Sequence, residues 1–127
     1  MVRAVEAARK AARQAQEAAY EGLCTIFEYQ EVTDAKTKLS SEKEVAVIEN
    51  QPCKLSFEKL NPATQTETAA TAAQGIKLFL APEIIVGSNS KIVVSQNGMT
   101  ERYSASGKPA VYPTHQEIML ELFRGWV

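Results

Sequence analysis

Histidine occurs once, at position 115, and cysteine twice, at 24 and 53. A single histidine leaves no His-based metal site beyond one ligand. A Cys–His dyad would need Cys24 or Cys53 beside His115. Neither cysteine lies at a helix N-terminus or in a glycine-rich context, where a thiolate is activated, and both sit in strand-like runs. There is no phosphate-cradling loop and no dinucleotide fingerprint. Ser104-Ala105-Ser106-Gly107 lacks the leading glycine of a nucleophile elbow and reads as a turn. No enzyme activity, metal or cofactor is therefore expected. Glu28, Glu44 and Glu58 read as solvated strand-face residues.

An excess of charge of either sign is also missing. Fourteen Lys and Arg face fifteen Asp and Glu, for a net charge of −1. A chain whose main task is gripping nucleic acid would carry a basic excess. Alternation is expected to put Lys54 and Phe57, and Lys77 and Phe79, on opposite faces rather than on one stacking platform. No apolar run approaches the roughly 20 residues of a membrane span, so no membrane partner is expected. The N-terminus has no apolar core of a secretory signal, and Glu6, Glu17 and Glu21 argue against a transit peptide. The two cysteines then read as buried, reduced thiols of a cytosolic compartment.

What is present is one helical stretch followed by short β patterns. With 127 residues the chain has room for one modest core. Met1 to Tyr20 is rich in Ala, Arg, Lys, Gln and Glu, all strong helix formers. Val2, Val5, Ala8, Ala12, Ala15 and Ala19 recur at spacings of three and four and share a face. Gly22 stands where a glycine would close the helix. The stripe is thin, so the helix either leans on its own body or docks on a neighbour. It has no Leu, Phe or Trp to insert into a membrane surface.

Leu23–Tyr29 alternates as a strand. Residues 30–43 are polar and read as a surface loop. Glu44–Asn50 is a second strand, broken at Gln51-Pro52 and resumed over Cys53–Phe57. Asn61–Gly75 is a small-residue excursion without Lys or Arg, where Thr64 or Thr66 can cap a short helix that Gly75 stops. Ile76–Leu80 is a strand. Lys91–Gln96 and Met99–Tyr103 flank Asn97-Gly98, the signature of a type I′ hairpin. Val111-Tyr112-Pro113 is short and extended. Residues 116–123 suit a helix or a strand, and the cleaner alternation favours a strand that closes a barrel. Trp126 either folds back onto the barrel or anchors a partner. The expected fold is mostly β: a small antiparallel β-barrel of six or seven strands over 23–127, an N-terminal α-helical arm over 1–22, and a long inserted loop, 61–75, carrying a short helix.

From Leu23 onward the order of segments resembles the head-completion, or stopper, proteins of tailed siphophages. The carrying residues are Ile26-Phe27-Glu28-Tyr29, Val47 to Phe57, the Gln65–Gln74 excursion, Ile76–Pro82, Lys91–Tyr103, Gly107 to Tyr112 and His115 to Ile118. The resemblance covers about a hundred residues, without a chemical signature, and the N-terminal helix is longer than the family leads one to expect. It implies a virion protein, made in the host cytoplasm, that forms a homo-oligomeric ring below the portal and adaptor. Such a ring closes the channel through which DNA passes and offers the tail terminator or tail tube a docking surface. On that reading Thr64, Gln65, Thr66, Glu67, Thr68, Ala69, Ala70 and Thr71 face the channel. Val5, Ala8, Ala12, Met119, Phe123 and Trp126 meet other subunits or the adaptor. Two other classes fit less well: another ring protein of the junction (a tail terminator or a mainly helical adaptor), and an OB-like nucleic-acid module, which would bind single strands in a salt-dependent way.

Overall fold

The computed structural model describes the backbone of residues 2–59 and 74–126. Helix α1 spans Val2–Ala18, and seven strands follow: β1 (Gly22–Thr33), β2 (Ser40–Lys59), β3 (Gln74–Leu80), β4 (Lys91–Gln96), β5 (Met99–Ala105), β6 (Ala110–Val111) and β7 (Gln116–Leu122). All pairings are antiparallel. β3 pairs with both β2 and β7, so the order β1–β2–β3–β7–β5–β4 returns to β1 and closes on itself. The short β6 shares one edge of β7 with β5. This is the mostly β, antiparallel, closed arrangement expected, and residues 116–122 are its closing strand.

The core follows from alternation. Cys24 and Ile26, Cys53 and Leu55, Leu78 and Leu80, Ile92 and Val94, Tyr103, and Ile118 and Leu120 all point inward from their strands and are buried together. The Asn97-Gly98 turn has φ of 53° and 78° at its two central residues, as a type I′ turn requires.

Several boundaries differ from the sequence expectation. The helix stops at Ala18, and Gly22 belongs to β1. Its role is close approach: a Cβ there would lie 3.0 Å from Gln96 Oε1 and 3.2 Å from the Cys53 carbonyl oxygen. Over that bare backbone the Gln96 amide reaches β2, accepting from Leu55 N at 2.8 Å and donating to Leu55 O at 3.2 Å. Gln51-Pro52 does not break β2. The strand runs on and changes partner there, from β1 to β3. The bend comes from a bulge opposite Thr25, where Asn50 sits at φ 51°.

Residues 30–43 are a strand hairpin rather than a loop. β1 and β2 stay paired out to Thr33 and Ser40, and the tip turns on Asp34, whose Oδ1 accepts from Lys36 N at 2.8 Å. Both faces of this ribbon are solvated, so it has no alternation to read. Gln74 and Gly75 belong to β3 rather than to the excursion. Glu83–Val86 forms no strand. That segment is pinned by buried Gln116, whose Nε2 donates to the carbonyls of Ala81 (2.8 Å) and Ile84 (2.6 Å).

Candidate interaction surfaces

Three places on this body hold groups the core does not use. The first is α1. None of its residues is buried. The three that are half-buried are Arg13, Gln16 and Glu17, all on its polar side. Arg13 pairs with Glu17 at 2.9 Å and bridges to Glu83, and Gln16 borders a small hollow with Tyr20, Lys54 and Phe79. The Arg13 bond holds the Glu83 carboxyl below the usual carboxylate range. The helix is thus turned inside out: its polar side faces its own barrel, and Val5, Ala8, Ala12 and Ala15 face solvent. Of the two sequence alternatives for this stripe, packing on its own body is not what the chain does.

The second place is the C-terminal clamp. Trp126 stacks on Tyr29 with centroids 5.2 Å apart, meets Phe123 edge-on at 5.2 Å, and donates from Nε1 to Glu44 Oε1 at 3.2 Å. Lys91 bridges to Glu44 and lies over the rings of Phe27 (4.8 Å) and Phe123 (5.6 Å). The lysine bond pulls the Glu44 carboxyl below its usual range. Trp126 therefore folds back onto the barrel, and Phe123 is half-buried in the same cluster, while Met119 stands exposed on the outer face of β7. Beside the clamp runs a groove of about 870 Å³ between the β1–β2 hairpin, the 87–90 turn and β7. Ser90, on its wall, is only 1% exposed, yet its hydroxyl has no hydrogen-bond partner among the described residues. No sequence signal marks that serine, because its burial depends on the fold of the turn around it.

The third place is a polar network on the outer sheet. His115 Nε2 meets Glu117 at 2.8 Å, Lys77 meets Glu117 at 3.2 Å and Glu58 at 3.8 Å, and the His115 ring stacks on Tyr112 at 4.8 Å. The His115 bond, and then Lys77, hold Glu117 below the carboxylate range. Lys77 also lies over Phe79 at 5.9 Å. The two share a face because they are two residues apart, which corrects the expectation that alternation separates them.

His115 belongs to this network and the cysteines to the core. Cys24 and Cys53 are free and buried. Contact with Cys24, and then burial, push the Cys53 thiol up, so it is a poor nucleophile. Among the described residues no group of three or more potential ligands could hold a metal ion, and no helix is long and apolar enough to cross a membrane. Thr64–Thr71 and the short helix expected there lie outside the described residues.

No family model matches the chain, and no curated protein matches it. Among solved structures it is similar to the phage-like element PBSX protein xkdH from Bacillus subtilis. The two are 12% identical, the match covers 79% of this chain and 91% of that one, and the TM-score is 0.47.

Proposed function

We propose that this protein is a structural head–tail connector of a tailed phage or prophage, a stopper-type ring subunit that closes the DNA channel and presents a docking surface to the tail. The order of segments from Leu23 onward supports the reading. The observation that carries it is the combination of a small closed β body with a helical arm whose apolar stripe is turned away from that body. A 17-residue helix of this composition is marginal alone and gains little from its own barrel, so it is built to be completed by a neighbour. Val5, Ala8 and Ala12 on the arm, and Met119 on β7, are the interface residues in this reading. The adaptor and portal lie on the head side, and the tail terminator or tube on the other.

The test is genetic. Disrupting the coding sequence in the phage or prophage that carries it should give filled heads that lose their DNA and accumulate beside free tails. Normal tailed particles in normal yield would overturn the proposal.

A further inference from the structure

Over its second half, β1 has a partner on only one edge. β2 follows it out to Thr33, but on the other edge β4 ends at the Phe27–Lys91 pair. The chain ahead of β4 swings away in the 87–90 turn, where Ser90 N donates to Gly87 O at 3.2 Å. From Phe27 to Thr33 the register with β2 is unbroken, so the hydrogen-bonding directions of β1 alternate regularly. Asp34 N donates to Leu39 O at 2.9 Å and starts the ladder. Counting back by twos, Val32, Gln30 and Glu28 bond toward β2. Tyr29, Glu31 and Thr33 therefore turn their N–H and C=O groups to the vacant edge. β2 also has a vacant edge ahead of Cys53, but the bulges at 46–50 bend it, and bulges blunt an edge.

The vacant edge of β1 opens into the groove beside the clamp. Glu28 and Gln30 from one face of β1, and Tyr29 from the other, line that groove together, so it presents the edge itself. A row of unpaired backbone groups is a template for one more strand. Charge selects which strand. Glu28, Glu42 and Glu121 line the groove against the single base Arg124, and none of the three carboxylates is in an ion pair among the described residues. Full overlap with the same edge of a second copy would set Glu31 opposite Glu31, and like charges directly opposite are destabilising. We propose that the groove binds an extended, basic segment of a partner protein. The segment adds a strand to β1 along Tyr29–Thr33 and sets Lys or Arg side chains against Glu28, Glu42 and Glu121. The proposal goes beyond the connector reading and does not depend on it.

The test uses the full-length chain and a short capped peptide of alternating Thr and Lys. Trp126, the chain's single tryptophan, stacks on Tyr29 in the groove wall and reports binding by its fluorescence. Hydrogen exchange read by NMR locates the contact. At a free peptide concentration about ten times Kd, exchange at the Tyr29, Glu31 and Thr33 amides should slow about tenfold, because the unbound fraction falls by that factor. Glu42→Lys with Glu121→Lys, both at exposed positions, should weaken binding about tenfold or more and leave the circular dichroism unchanged.

Two further peptides separate strand addition from mere charge attraction. The same peptide with its backbone nitrogens methylated keeps its charge but cannot form the ladder, and it should not bind. A peptide with Glu in place of Lys should not bind either. The proposal is overturned if the methylated or the acidic peptide binds as tightly, or if the double variant keeps its affinity. It is also overturned if none of the three amides slows up to about 1 mM peptide. Peptide binding that persists while disruption of the gene leaves phage particles normal would keep this proposal and remove the connector reading. The opposite pair of results would do the reverse.

Discussion

At the residue scale, stability rests on a few polar side chains placed where strands alone leave backbone groups unsatisfied. Gln116 is 2% exposed and satisfies two carbonyls of the 81–84 turn. Gln116→Leu keeps most of the volume and takes the side-chain donor from the Ile84 carbonyl, while Ala81 O still accepts from Ile84 N, so it should cost about 1–2 kcal/mol in urea unfolding. Gly22→Ala should cost a further sort of stability: its methyl displaces the Gln96 amide and loosens the Leu55 bonds, by about 1–2 kcal/mol. Loss of the stacking and edge contacts in Trp126→Ala should cost about 1 kcal/mol, with the strand signature in circular dichroism unchanged.

The carboxylates set the acid response. Glu44 and Glu117 are held below the ordinary value of 4.5, Glu44 mainly by Lys91 and Glu117 mainly by His115. A group whose folded pKa is depressed binds fewer protons folded than unfolded. Its contribution is fully present above 4.5 and is lost as pH falls through the lower folded value. The midpoint of urea unfolding should therefore decline below about pH 4.5, and Glu117→Gln should flatten that decline. Added salt should shrink the effect, because both carboxylates are partly solvated.

At the scale of elements, the Asn97-Gly98 turn is the most local. Gly98 holds φ 78° with open space around it, so Gly98→Ala is penalised by backbone conformation alone, at about 1 kcal/mol in unfolding experiments. The hairpin at 34–39 lies outside the closed ring, so shortening it should leave the unfolding midpoint nearly unchanged. The helix differs from both. It stabilises little of its own barrel, and a double change such as Ala8→Glu with Ala12→Glu should leave the strand core intact, as read by circular dichroism and by unfolding monitored at Trp126. An unfolded β core in that variant would contradict the inside-out orientation of α1.

At the scale of the whole molecule, one closed sheet carries a helix whose alanine stripe stays exposed. Any contact through that stripe is small, because alanines bury little area. Light scattering of the purified chain at micromolar concentration should give the monomer mass of 13.9 kDa. A stable ring under those conditions would show that the contact is stronger than this surface accounts for.

The sequence by itself determined the β character, the inward set of alternating residues with both cysteines among them, the Asn-Gly hairpin and the closing strand at 116–122. Each of these is local or follows from period-two burial, which a chain cannot hide. It did not determine that Pro52 lies within one bent strand, because Asn50 makes the bend and only the change of partner from β1 to β3 reveals it. Nor did it reveal the ribbon at 30–43, whose two solvated faces leave no periodic trace. The groove, the orphaned Ser90 hydroxyl and the outward turn of the alanine stripe belong to the tertiary structure alone. The spacing of Val5, Ala8 and Ala12 shows that they share a face, but where that face points depends on Arg13 reaching Glu83, a contact seventy residues away in sequence.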